Sequence, residues 1–400
     1  MAGELYDPKK ALYQAFPQMA KLSKDKDAFM NNAEEILAEH EEKGRDSSCA
    51  RAVQMEARWR ISCTSDYGKA VGAVDRLKKQ MDALDDGTEP TTLMQDGEGS
   101  FAPCTDVWFL KLDRSTDQLL ARTWSWRLPP VFLDQIDDPM RMVAYLQDLC
   151  WSDVARCGCD NRKELNLAIS VVARLVMRGG QAGYVAHPGA VPAFERFVQD
   201  WQDPETGFFG MIYILENGEQ VATKDLSLTF HMGRYVPHLI RDWPRLVDTL
   251  LAMKDLRYPQ GWLENGKMTD HNNYDVVELF ARGWNRMRPD QRRAACREID
   301  KMLDWCLQES VMPDGSIGRP DKGDMVPDSY YFAAAFLDTI GFFDREKRFW
   351  TETDYRFDDA DKIRAAMLNQ ISRFNQQLSV VTNTRARLTG GERPHSNALL

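Results

Sequence analysis

The 400-residue chain reads as an all-α protein, an (α/α)6-type toroid or barrel of helical hairpins with an N-terminal helical segment. Three observations predict this. Apolar residues recur at intervals of three and four along most of the chain, while β-branched alternation is nowhere sustained. Gly207 in DPETGFFG, Gly261 in YPQGWLENG and Gly315 in MPDGSIG lie 54 residues apart (261 − 207 and 315 − 261), each in a turn with Pro two or three residues before it. Each turn is followed by two helical patterns, and a hairpin repeat of about 50 residues is the mark of an α-solenoid or a closed α/α toroid.

The elements follow in order. Residues 1–130 form the N-terminal helical segment, which either completes the ring or caps it. Its helical periodicity covers Asp27–Glu42, Cys49–Cys63 and Tyr67–Leu84. Gly87–Phe101 is a polar loop, and Trp108–Pro130 is compatible with a short hairpin. Residues 131–384 hold the toroid hairpins. Helices are predicted at Pro139–Trp151, Arg162–Met177 and Pro188–Trp201. Three pairs then follow: Lys224–Val236 with Trp243–Arg257, Asp270–Met287 with Asp290–Gln308, and Asp328–Ile340 with Asp359–Leu378. The glycine-rich Arg178–Gly183 stretch follows a helix and reads as its stop. Residues 385–400, polar and containing Gly390, Gly391 and Pro394, are expected to be a flexible tail.

The first helix of each pair is rich in aromatic and small residues (SLTFHMGRY, NNYDVVELFARGW, SYYFAAAFLDTIGFF). The second carries a charged face. A helix covered on both sides lacks a wide polar face, so the first helices are expected inside and the second outside.

Composition narrows the function. A formal charge of −10 and one short basic run, Arg286–Arg293, argue against a nucleic-acid partner. No signal-peptide pattern and no apolar run of about 20 residues is visible, so a cytoplasmic protein without a membrane partner is expected. Most of the eight cysteines are scattered through helical patterns, as reduced buried thiols are. Cys157 and Cys159 form CxC, which is neither the zinc nor the redox spacing. No metal and no cofactor is implied, and no oligomeric state is signalled.

Parallel inner helices gather their N-termini at one mouth, where unpaired N–H groups and positive dipole ends accumulate. Polar residues in their first turns are therefore the candidates for chemistry. Asp225, Asp275 and Asp328, on three inner helices, are candidate acid and base, with His271 oriented by Asp275 four residues later. His231, Tyr235, Asn272, Asn273, Tyr274, Tyr330 and Tyr331 are candidate substrate-positioning groups. Trp262 and Glu264 in the corner loop suit a sugar-stacking subsite, although a buried Trp also seals a corner. Asp270 and Asp328 suit helix capping as well. Two carboxyls flanking a glycosidic bond are the usual machinery of its cleavage, and one of them must be desolvated to act as the acid.

The repeat style resembles the (α/α)-toroid proteins. The turn phrases look like those of terpenoid-cyclase and protein-prenyltransferase toroids, and the length is similar to that of six-hairpin glycosidases. That resemblance implies a small-molecule ligand, carbohydrate or isoprenoid. HNNY at 271–274 is similar to the Asn/His/Tyr sets of toroidal polysaccharide lyases, with His and Asn in the opposite order. The cyclase DxDD acid is missing, and Asp304-Trp305-Cys306 lacks the later His that a prenyltransferase zinc site requires. The leading expectation is an enzyme cleaving a glycosidic bond of a small oligosaccharide. An isoprenoid cyclase or transferase and a non-catalytic binding toroid are the alternatives.

Overall fold

The computed structural model describes residues 6–86, 95–102, 104–120, 128, 130–178, 186–318, 325–353 and 357–390, and these are mostly helical. The Gly179–Gly183 part of the expected stop, most of the Gly87–Phe101 loop and residues 391–400 of the expected tail lie outside them. The chain divides into two compact units. One comprises Met1–Leu37, Asp46–Phe197 and Gly210–Thr223; the other Ala38–Arg45, Val198–Phe209 and Lys224–Leu400. The line between them does not fall at residue 130.

The first unit holds α1 (Pro8–Ala15), most of α2 (Pro17–Glu42), α3 (Ser48–Cys63), α4 (Tyr67–Asp86), α5 (Trp108–Leu120), α6 (Asp134–Asp137), α7 (Pro139–Leu149), α8 (Val154–Cys157), α9 (Arg162–Arg178) and most of α10 (Ala190–Trp201). Its core gathers Met19, Leu22, Leu37, Val53, Ala57, Val74 and Leu77 from α2, α3 and α4. Trp108–Leu120 is a helix, not a hairpin. Phe109, Leu110 and Leu112 turn inward, and the Trp108 indole donates to the Phe132 carbonyl at 2.6 Å. A three-stranded sheet was not anticipated: β1 (Trp151–Ser152) pairs parallel with β2 (Ile212–Ile214), which pairs antiparallel with β3 (Gln220–Ala222). Strands of two and three residues are too short to show alternation. Cys49 and Cys104 are paired, with Cα atoms 5.5 Å apart, while the other six cysteines are free thiols, in keeping with the reading of most of them.

In the second unit the first helices of the three pairs are heavily buried. α11 (Leu226–Tyr235), α13 (Asp270–Gly283), α15 (Val326–Thr339) and α17 (Ser379–Thr389) pack side by side as one row. α12 (Trp243–Ala252) packs against α13 and α14 (Pro289–Trp305), and α16 (Ala360–Ile371) packs against α15 and α17. The aromatic and small residues of the first helices made their burial legible. The frayed tail needs correction. α17 continues through Thr389, and Arg387, placed in that tail by its sequence context, is only 5% exposed.

The corner turns work as plugs. Phe208 and Phe209 are buried, and the Trp201 ring lies 4.9 Å from that of Phe209. Gly207 has φ +73°, and a Cβ there would sit 2.9 Å from the Leu246 nitrogen of α12. Gly315 repeats the device with φ +81° and the Ala366 carbonyl carbon of α16 at 2.3 Å. Gly261 differs: it crowds Leu256 within its own loop. We expect Gly207→Ala and Gly315→Ala each to cost about 2–4 kcal/mol, from left-handed strain plus overpacking. Gly218, with φ +85° and open space around it, should lose only about 1 kcal/mol in the same denaturant titration. Equal losses at all three would refute the close-packing argument.

Candidate functional site

The row of α11, α13, α15 and α17 carries a dense polar and aromatic cluster. α11 starts at Asp225, whose carboxylate caps the helix by accepting the Leu228 N–H at 3.0 Å. Two turns on, α11 presents His231, Arg234 and Tyr235, all half-buried. The His231 and Tyr235 rings are stacked, with centroids 5.9 Å apart. α13 is capped by Thr269, not Asp270; the Thr269 hydroxyl accepts the Asn272 N–H at 3.2 Å. That places His271, Tyr274, Asp275 and Glu278 on the face turned to α11 and α15, as their ring contacts and charges show.

His271 lies 4.0 Å from the Asp275 carboxylate, and its ring stacks on Phe332 of α15 at 4.0 Å. Asp275 is 0% exposed, and neither of its oxygens has a hydrogen-bond partner among the described residues. Burial holds this carboxyl well above its ordinary range; Asp225 and Glu278 push the same way, against the pull of Arg234. Its proton is therefore held more tightly than that of an exposed aspartate.

Tyr331 of α15 is the other unusual group. Its hydroxyl accepts from Arg234 at 3.2 Å and from Arg387 of α17 at 3.4 Å. Arg387 also donates to the Tyr274 hydroxyl at 3.0 Å and to Asp338 at 3.2 Å. Tyr331 keeps part of its surface open, although many side chains crowd it. Crowding alone would raise its pKa, but the two guanidiniums outweigh that and bring the phenol down to about 7. Tyr274, buried completely, moves the opposite way and stays a neutral phenol, because desolvation dominates there.

The expected site residues separate clearly. Asp225, Asp275, His271, His231, Tyr235, Tyr274 and Tyr331 belong to the cluster or its edge. Asp328 instead accepts the Met325 N–H at 2.9 Å and closes the first turn of α15. Tyr330 points elsewhere, with its ring 5.4 Å from Phe374. Trp262 is a seal and not a platform: it is buried edge-on against Phe280, and its carbonyl accepts the Asn272 amide at 2.9 Å. Asn272 thus ties the corner down, while buried Asn273 leaves its amide nitrogen unpartnered among the described residues. Glu264 sits in a surface turn, bridged to Lys267 through the backbone. Arg234, Glu278, Phe332, Asp338 and Arg387 were missed as site residues. A signal existed: Arg234 and Asp338 are lone charges late in otherwise uncharged stretches of inner helix, and a buried charge requires a partner.

Among the described residues, no group of three or more His, Cys, Asp or Glu side chains is placed to hold a metal ion. None of their helices is long and apolar enough to cross a membrane. Comparison with family models, curated proteins and solved structures found no match.

The raised Asp275 pKa has a testable sign. The folded chain binds this proton above the unfolded aspartate range, so stability is fully present at low pH and falls as pH rises toward the folded value. Asp275→Asn removes that loss. The variant should gain stability relative to wild type at pH 7 but not at pH 4, read by denaturant midpoints. An equal change at both values would contradict a raised Asp275 pKa.

Proposed function

We propose that the second unit is part of an (α/α) toroid and carries an enzyme that cleaves a glycosidic bond of a small oligosaccharide, with Tyr331 as the proton-transferring group. One observation carries this reading. The Tyr331 hydroxyl is held between two guanidiniums on a half-buried face lined by His231, Tyr235, His271 and Phe332. A phenol titrating near 7 is an efficient general base at neutral pH. His271, beside Tyr331's neighbour Phe332 and the buried Asp275, serves as the second proton carrier.

The carboxylate-pair mechanism is less well supported. Asp275 and Asp225 are 0% and 1% exposed, and Asp328 closes a helix turn, so none offers a carboxylate to a bound sugar. Mixed rings, imidazoles and a guanidinium also suit a polar sugar better than a dry isoprenoid chain.

The test is release of new sugar ends from a panel of neutral and uronate-containing oligosaccharides by the full chain. Turnover should appear in wild type and fall by about 10²-fold or more in both Tyr331→Phe and His271→Ala. Absence of turnover across the panel, or full activity in Tyr331→Phe, would sink the assignment.

A further inference from the structure

We propose that Cys49 and Cys104 form a reversible thiol–disulfide exchange site, which small thiols open by attack at Cys104 with Cys49 as the leaving thiolate. The site lies within the first unit and does not depend on the Tyr331 cluster.

Three observations carry this. The two Cα atoms are 5.5 Å apart, inside the span of a disulfide, although 55 residues separate them in sequence. The other six cysteines are free, exposed Cys157 among them, so the pairing is selective. The two sulfurs also sit in different surroundings. Cys49 is only 1% exposed, whereas Cys104 is half-buried. Exchange requires an attacking thiolate to reach a sulfur, and Cys104 is the one it can reach. Cys49 is the second residue of the sixteen-residue α3. The N–H groups and positive dipole end of a helix start stabilise a thiolate, which makes Cys49 a good leaving group despite its burial.

The exchange balances with glutathione as the reductant. Its thiolate attacks Cys104 Sγ, the bond between the two cysteines breaks, and Cys49 leaves as a thiolate that takes a proton from water. A second glutathione thiolate then displaces Cys104 from the mixed disulfide. Two protein thiols are formed, and two glutathiones are oxidised to their disulfide; the reverse sequence closes the bond. The bond pins the segment that carries Thr105. The Thr105 hydroxyl donates to the fully buried Glu56 carboxylate at 2.9 Å and accepts the Val107 N–H at 3.2 Å, just before α5. Arg60 holds the same carboxylate at 2.7 Å. Opening the bond removes the covalent tie and loosens Thr105 on Glu56.

The experiment equilibrates the full chain at neutral pH in oxidised and in reduced glutathione, followed by acid quench, alkylation and peptide mapping by mass spectrometry. Cys49 and Cys104 should be linked in the oxidised buffer. Both should alkylate in the reduced one, and the link should return on reoxidation, with folding checked by circular dichroism. On opening, hydrogen exchange at Thr105 and Val107 should speed up by about tenfold or more, the scale of a lost cross-link. Cys49→Ser should trap glutathione on Cys104, while Cys104→Ser should leave Cys49 unmodified. If Cys49→Ser does not fold, the mixed disulfide caught by acid quench in the wild-type chain reports the same attack site. A link that never forms in oxidised glutathione, a link that survives reduced glutathione, glutathione trapped on Cys49, or unchanged exchange at Thr105 and Val107 would overturn the inference.

Discussion

Tyr331→Phe is expected to lower turnover by about 10²–10⁴-fold, the usual contribution of a positioned acid or base, with little change in fold. The substitution keeps the ring that packs edge-on against Tyr274 at 6.1 Å and beside Phe332 at 5.5 Å. It removes only the oxygen that accepts from Arg234 and Arg387. The pH profile gives an independent check. Because the phenol titrates at about 7, the base form accumulates as pH rises through that value, and wild-type turnover should rise with it. Any residual activity of Tyr331→Phe should lack that rise. A rise that persists in the variant would assign the titration to another group, with His271 the first suspect.

Arg387→Ala should be among the most damaging substitutions for stability, costing about 3–5 kcal/mol, because removing one partner of a buried ion pair strands the other. Arg387 is 5% exposed and Asp338 is 1% exposed, and the guanidinium also holds the hydroxyls of Tyr274 and Tyr331. Lys347 still reaches Asp338, which sets the loss toward the lower end of that range. Ending the chain after Thr384 should be worse, since it removes Arg387, buried Leu388 and the last turn of α17 together. Denaturant unfolding of both variants decides it. A loss below about 1 kcal/mol for Arg387→Ala, the level of an exposed pair, would show that α17 does not anchor the row.

The helices were largely readable because their pattern is local. The α3, α4, α9, α12, α13, α14 and α15 segments each repeat apolar positions at the helical interval over two turns or more, and burial follows that interval. The heavy burial of α11, α13 and α15 was readable too, since a helix covered on both sides has no place for a wide charged face. α17 was not, because VVTNTRARLTGG carries as many polar as apolar residues and ends in a glycine signal that resembles a tail. Its helix is held by packing against α15 and α16, which local composition does not record.

The site divides along the same line. Sequence alone determined a mostly helical chain, and it singled out the starts of α11, α13 and α15 as polar where apolar residues were expected. Only the tertiary structure decided which of those polar groups meet. It set Asp328 to closing a helix turn, Trp262 to sealing a corner and Asp275 to a buried place that raises its pKa. It also brought Arg234 and Arg387, 153 residues apart in sequence, onto one tyrosine hydroxyl. The reason is physical: capping and periodicity depend on neighbours in the chain, whereas desolvation and charge pairing depend on neighbours in space.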